Sequence, residues 1–132
     1  MGLSEDVSRI AALAASHADA GQQVSAVLAT ESAAGKRVYL AAFDDGAGNH
    51  EWLALAEDGG PVTNRARVRE AASIAALVEV AEEAGERASE EPRLASLAYL
   101  DSLGGDSSLA GALPAIDELT RDIEAHYKLE LT

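Results

Sequence analysis

Apolar or small residues near the start of the chain fall at Leu3, Val7, Ile10, Ala14, His17, Gly21, Val24 and Leu28. The spacing alternates four and three, which predicts a helix packing along one seam. Ser4 is a suitable N-cap, with Glu5 and Asp6 in the first turn where the helix dipole favours acids. Gly21 is the weak point, costing about 1 kcal/mol against alanine. The helix is therefore expected to run unbroken or in two pieces parted near Ala20 and Gly21, and to end by Gly35.

The period changes over residues 38–56. Val-Tyr-Leu-Ala-Ala-Phe and Glu-Trp-Leu-Ala-Leu-Ala flank a polar loop holding Gly46 and Gly48, the pattern of a β-hairpin. With Phe43 opposite Glu51, one face carries Val38, Leu40, Ala42, Trp52, Ala54 and Ala56, and the other carries Tyr39, Ala41, Phe43, Leu53 and Leu55. Both faces are apolar in this register and in the register shifted by one. A hairpin with one wet face would alternate apolar and polar, so this one needs cover on both sides.

Helical spacing returns after the turn at residues 57–61. Val68, Ala71, Ile74, Ala75, Val78 and Ala81 share a face, widened by Leu77, Val80 and Ala84. A helix over residues 65–84 is expected, capped by Thr63 or Asn64 and central in the fold. Ser89-Glu-Glu-Pro92 opens a short third helix, which carries Leu94, Leu97 and Leu100 and ends at Gly104 and Gly105. A last helix begins near Asp106, with Leu109, Leu113, Ile116, Thr120, Ile123 and Tyr127 on one seam. Pro114 either kinks it or serves as the first-turn proline of a shorter helix. The tail 128–132 alternates, as an extended end or a further strand beside the hairpin would. The expected fold is a single α+β domain over residues 1–132: mostly helical, with four or so helices around one antiparallel β-hairpin.

Composition narrows the function. Apolar residues make up 48% of the 132, within the globular range. Alanine accounts for 29 of them, so the hairpin aromatics Tyr39, Phe43 and Trp52 supply bulk that the helices lack. Asp and Glu number 23 against 10 Lys and Arg, a net charge of −13. That disfavours nucleic-acid phosphates and anionic membranes. With no cysteine, disulfides and thiolate chemistry are excluded. No apolar run has the length of a membrane span, and no signal-peptide pattern opens the sequence, so a cytoplasmic location is expected.

Two stretches carry candidate chemistry. The loop gathers Asp44, Asp45, His50 and Glu51 around two glycines. Asp44, Asp45 and His50, with Trp52 beside them, are the candidate binding residues. Carboxylate oxygens suit a hard cation, but the loop lacks the spaced acids of an EF-hand, and Asp, Gly and Asn also serve plain turn geometry. The second stretch is Glu79, Glu82 and Glu83 on the central helix. Glu79-Val-Ala-Glu82 with Glu83 resembles a fragment of the ExxE motif of the all-α nucleotide pyrophosphohydrolases. The resemblance implies Mg²⁺ held by those glutamates and a second acidic motif, ExxD, on a following helix. The nearest acids there are Glu118 and Asp122, spaced i,i+4.

Neither stretch holds a complete ligand set, so no cofactor and no metal is expected. His17, His50 and His126 are scattered and form no metalloprotease or triad pattern. The favoured expectation is a small acidic interaction or regulatory protein without catalytic activity. It would act on an unknown protein partner and as a homodimer, the second copy covering the exposed hairpin face. The alternatives are a Mg²⁺-dependent hydrolase of a nucleotide or phosphoester using Glu79, Glu82 and Glu83, and a small-ligand carrier with a pocket beside Trp52.

Overall fold

The computed structural model describes residues 2–32, 34–84, 94–95 and 113–132, with backbone only at Leu3, 79–84 and 94–95. The order is α1 (Leu3–Ala15), β1 (Gln23–Glu31), β2 (Arg37–Asp44), β3 (His50–Ala56), α2 (Arg65–Ala84), β4 (Leu94–Ala95) and α3 (Leu113–Ala125). The sheet order is β3-β2-β1-β4, antiparallel throughout except for the short parallel pairing of β4 with β1. The mixed α+β class is as expected. Among the described residues, however, three helices surround a sheet that is wider than a hairpin.

The hairpin is β2 and β3, paired with Phe43 opposite Glu51. Its two apolar faces are both covered from within the chain. Val38, Leu40 and Ala54 pack with Val68, Ala72 and Ile123 of α2 and α3, and Trp52 and Ala56 border that cluster. Tyr39, Ala41, Phe43, Leu53 and Leu55 pack with Ile10 and Ala14 of α1. The reason given for a second copy therefore falls, because α1 on one side and α2 with α3 on the other supply the missing layers.

The other departure is β1. The four-and-three seam holds only through Ala14, the last fully buried residue of α1. Ser16 then hydroxyl-bonds back to the Leu13 carbonyl at 2.6 Å, and Gly21 takes a positive φ of 86° that turns the chain. Residues that continue the seam on paper become a strand instead. Val24, Val27 and Thr30 are β-branched and suit a pleated surface, and β1 pairs with β2 along most of its length, broken by an irregularity between Val24 and Ala26. Tertiary pairing satisfies its backbone groups and outweighs a weak helical preference. Gly59 turns the chain beneath Leu13 with a positive φ of 86°, a conformation that favours glycine.

The central helix matches its expected bounds, and Asn64 caps it by accepting the Arg67 N–H at 3.1 Å. The third expected helix lies outside the described residues, except at Leu94 and Ala95, which are extended. In α3, Pro114 sits in the first described turn, with Ile116 and Ile123 buried. Tyr127, just before the tail, makes one parallel bridge to Trp52 of β3. Residues 128–132 form no strand, and the chain end is held instead by the Thr132 N–H donating to the Thr63 carbonyl at 2.8 Å.

Helices α2 and α3 are tied by Glu124, which accepts from Arg69 Nε at 2.6 Å and lies 3.6 Å from Arg65. The Arg69 hydrogen bond holds the Glu124 carboxyl below its ordinary value, against the opposing effect of burial. A depressed folded-state pKa means stability that is present above the unfolded value and lost as pH falls through the folded one. Glu124→Gln is expected to lower the urea midpoint at pH 7. The gap from the parent should begin to narrow near the ordinary glutamate pKa, about 4.3, and close only below the depressed folded-state value; a gap unchanged at pH 3 contradicts this linkage.

Candidate functional site

The end of the molecule where β3 begins and α3 finishes gathers side chains from distant parts of the sequence. His50 opens β3, and Trp52 lies two residues on, on the same face of the strand. Asp122 and His126 are four apart, so the helical turn stacks them on one face; the His126 N–H bonds the Asp122 carbonyl at 3.0 Å and continues that turn. The two elements are tied by their backbones. The Trp52 N–H donates to the His126 carbonyl and the Lys128 N–H to the Trp52 carbonyl, each at 2.8 Å.

Asp122 is the centre. Its carboxylate lies 2.7 Å from His50 Nε2 and 3.0 Å from His126 Nδ1, and it accepts the Trp52 indole N–H at 3.2 Å. The two imidazole centroids stand 4.8 Å apart. Burial works to raise the Asp122 carboxyl, and the hydrogen bonds from His50 and Trp52 outweigh it, leaving the group below the usual carboxylate value. Ligand-type atoms of His50, Asp122 and His126 all lie within 4.8 Å of one another.

Tyr127 and Lys128 fix the chain just beyond. The Tyr127 hydroxyl accepts the Ala54 N–H at 2.7 Å and donates to the Val62 carbonyl. Burial pushes this phenol up to about 12, with the Ala54 bond opposing. Lys128 Nζ reaches Gln22 Oε1 at 2.8 Å, Asp19 at 3.1 Å and Glu51 at 3.5 Å, and stands 4.8 Å over the Phe43 ring.

The four candidate binding residues thus divide. Asp44 and Asp45 are taken up by the turn: Asp44 accepts the Gly46 N–H at 2.9 Å. Asp45 accepts the Ala47 N–H at 2.8 Å and the Asn49 amide at 2.9 Å. The Asn49 side chain, followed by the Ala47 N–H, lowers the Asp45 carboxyl. His50 and Trp52 enter the site, joined by Asp122 and His126, whose convergence the sequence reading missed. The Asp-x-x-x-His spacing at a helix end was the one available signal, since i,i+4 ligands share a face. Glu79, Glu82 and Glu83 lie on the last turns of α2, with side chains outside the described residues. Comparison with protein-family models, with curated proteins and with solved structures finds no match to this chain.

Proposed function

We propose that the chain is a small, acidic interaction or regulatory protein without catalytic activity. One observation carries the reading. Where chemically capable side chains converge, around Asp122, they bond one another on an open surface, with His50 and His126 about half exposed. No serine or threonine hydroxyl is hydrogen-bonded to this group among the described residues. A cavity of about 200 Å³ bordered by Thr30, Lys36, Arg67 and Glu70 lies apart from it. A catalytic site asks instead for a nucleophile, a base and a pocket converging on one reacting atom.

Two features weigh against the alternatives. Arg69 on α2 lies beside Glu124 on α3, and Glu79 is ten residues farther along α2, about 15 Å at helical rise. Asp122, two residues from Glu124 and bound to His50 and Trp52, is thus poorly placed to complete a Mg²⁺ site with Glu79. A carrier needs a cavity beside Trp52, yet that side chain packs against the α2–α3 core. The net charge of −13 favours a basic protein surface as partner, with association that weakens as salt rises.

The test is incubation of purified protein with Mg²⁺ and a panel of nucleoside triphosphates and phosphomonoesters. No release of phosphate or pyrophosphate above the buffer blank is expected. Turnover abolished by Glu79→Gln or Glu82→Gln would replace this reading with the hydrolase.

A further inference from the structure

From the donor set and its geometry, we infer that His50, Asp122 and His126 form a binding site for a divalent transition cation of the zinc class. The inference goes beyond the reading above, since it assigns a ligand and no reaction.

The two imidazoles are borderline donors and the carboxylate is a hard one. They suit Zn²⁺ and its neighbours, whereas Mg²⁺ and Ca²⁺ prefer shells of oxygen. Zinc holds such ligands at about 2.0–2.2 Å, which places tetrahedral donors about 3.3 Å apart. The ligand atoms here already lie within 4.8 Å of one another, with His50 Nε2 at 2.7 Å and His126 Nδ1 at 3.0 Å from the shared carboxylate. Small rotations of two half-exposed rings bring the set to zinc distances. Each ligating nitrogen must then present its lone pair. The proton that His50 Nε2 shares with the Asp122 carboxylate, and the one that His126 Nδ1 donates to the Asp122 backbone carbonyl at 3.1 Å, move to the other ring nitrogen or to solvent, and the His126 ring turns off that carbonyl. Three protein ligands leave a fourth position for water or for a donor from a partner.

The support around these ligands is what separates the site from a chance surface cluster. The Trp52 indole N–H holds Asp122 at 3.2 Å, the kind of outer contact that orients a metal-binding carboxylate. The Trp52 backbone binds the His126 carbonyl at 2.8 Å, so strand and helix end are locked together before any ion arrives. His50 starts a strand paired through Asp44 to β2. All three ligands therefore stand on or directly beside regular elements, where geometry is best kept.

The experiment is calorimetric titration of untagged protein with Zn²⁺, with Co²⁺ absorption reporting the geometry and Mg²⁺ and Ca²⁺ as controls. One micromolar Zn²⁺ site per chain is expected, with Mg²⁺ and Ca²⁺ no tighter than millimolar. His50→Ala and His126→Ala should each abolish it. Both side chains are half exposed, so the variants should keep the parent far-UV spectrum. Trp52→Phe, which keeps the ring and removes the indole donor, should weaken binding by about 10- to 100-fold. His17→Ala, at the histidine outside this cluster, should leave it unchanged. A parent protein with no Zn²⁺ site tighter than millimolar overturns the inference, as does a micromolar site that survives both His50→Ala and His126→Ala.

Discussion

Leu55→Asp is expected to leave the chain unfolded rather than to release a folded half of a pair. Leu55 is fully buried on β3, opposite Tyr39, in the cluster that α1 closes with Ile10 and Ala14. Truncating a buried leucine costs about 2–5 kcal/mol. An unpaired buried carboxylate adds several kcal/mol more. The sum reaches the whole stability of an ordinary domain, about 5–15 kcal/mol. Far-UV dichroism and Trp52 fluorescence at micromolar concentration should show a denatured spectrum at neutral pH. A well-folded Leu55→Asp species of smaller mass by light scattering would put Leu55 at an interface between copies, and would restore the second-copy argument that the α1 layer removes.

The reach of the sequence differs between elements for physical reasons. The β2–β3 hairpin is legible because two short apolar runs flank a loop of turn residues. Its register is not, because both faces stay apolar when one strand slips by one residue; the pairing of Phe43 with Glu51 comes from the structure. The bounds of α2 are legible because Asn64 caps a long run of helical periodicity. Strand β1 is not, because Val24 and Leu28 prolong a helical spacing that Ala14 ends. Only the pairing of β1 with β2 reveals its state, and that pairing is a long-range contact. The site is half legible for the same reason. His50 and Trp52 stand together on one strand, but Asp122 and His126 come from the far end of the chain and meet them only through packing. Asp44 and Asp45 have the residue types of a cation loop, yet their oxygens are spent on turn N–H groups. Turn chemistry and ligand chemistry draw on the same side chains.

Phe43→Ala is expected to cost about 3–5 kcal/mol, the range for truncating a buried aromatic. The ring is fully buried on the α1 side of the sheet, where, among the described side chains, the helix contributes Ile10 and Ala14 to the buried cluster, with Val7 at its border. An alanine-rich helix has little side chain with which to fill the void. The backbone cannot close it either, because Phe43 is held between Val24 on β1 and Glu51 on β3. Lys128 Nζ above the ring, 4.8 Å from its centroid, adds about 0.5–1 kcal/mol of attraction to be lost with it. Lys128→Ala should cost less, about 1.5–3 kcal/mol, because a side chain only 8% exposed loses its charged hydrogen bonds and its packing on the ring. Its partner Asp19 is 72% exposed and Glu51 36%, so both carboxylates stay hydrated once the ammonium is gone. Phe43→Leu keeps most of the volume and should lose under about 1.5 kcal/mol. Urea unfolding followed by Trp52 fluorescence orders the three variants. A loss below about 1 kcal/mol for Phe43→Ala would mean that α1 does not close over this face of the sheet, and that the layer covering Tyr39, Phe43 and Leu55 comes from elsewhere.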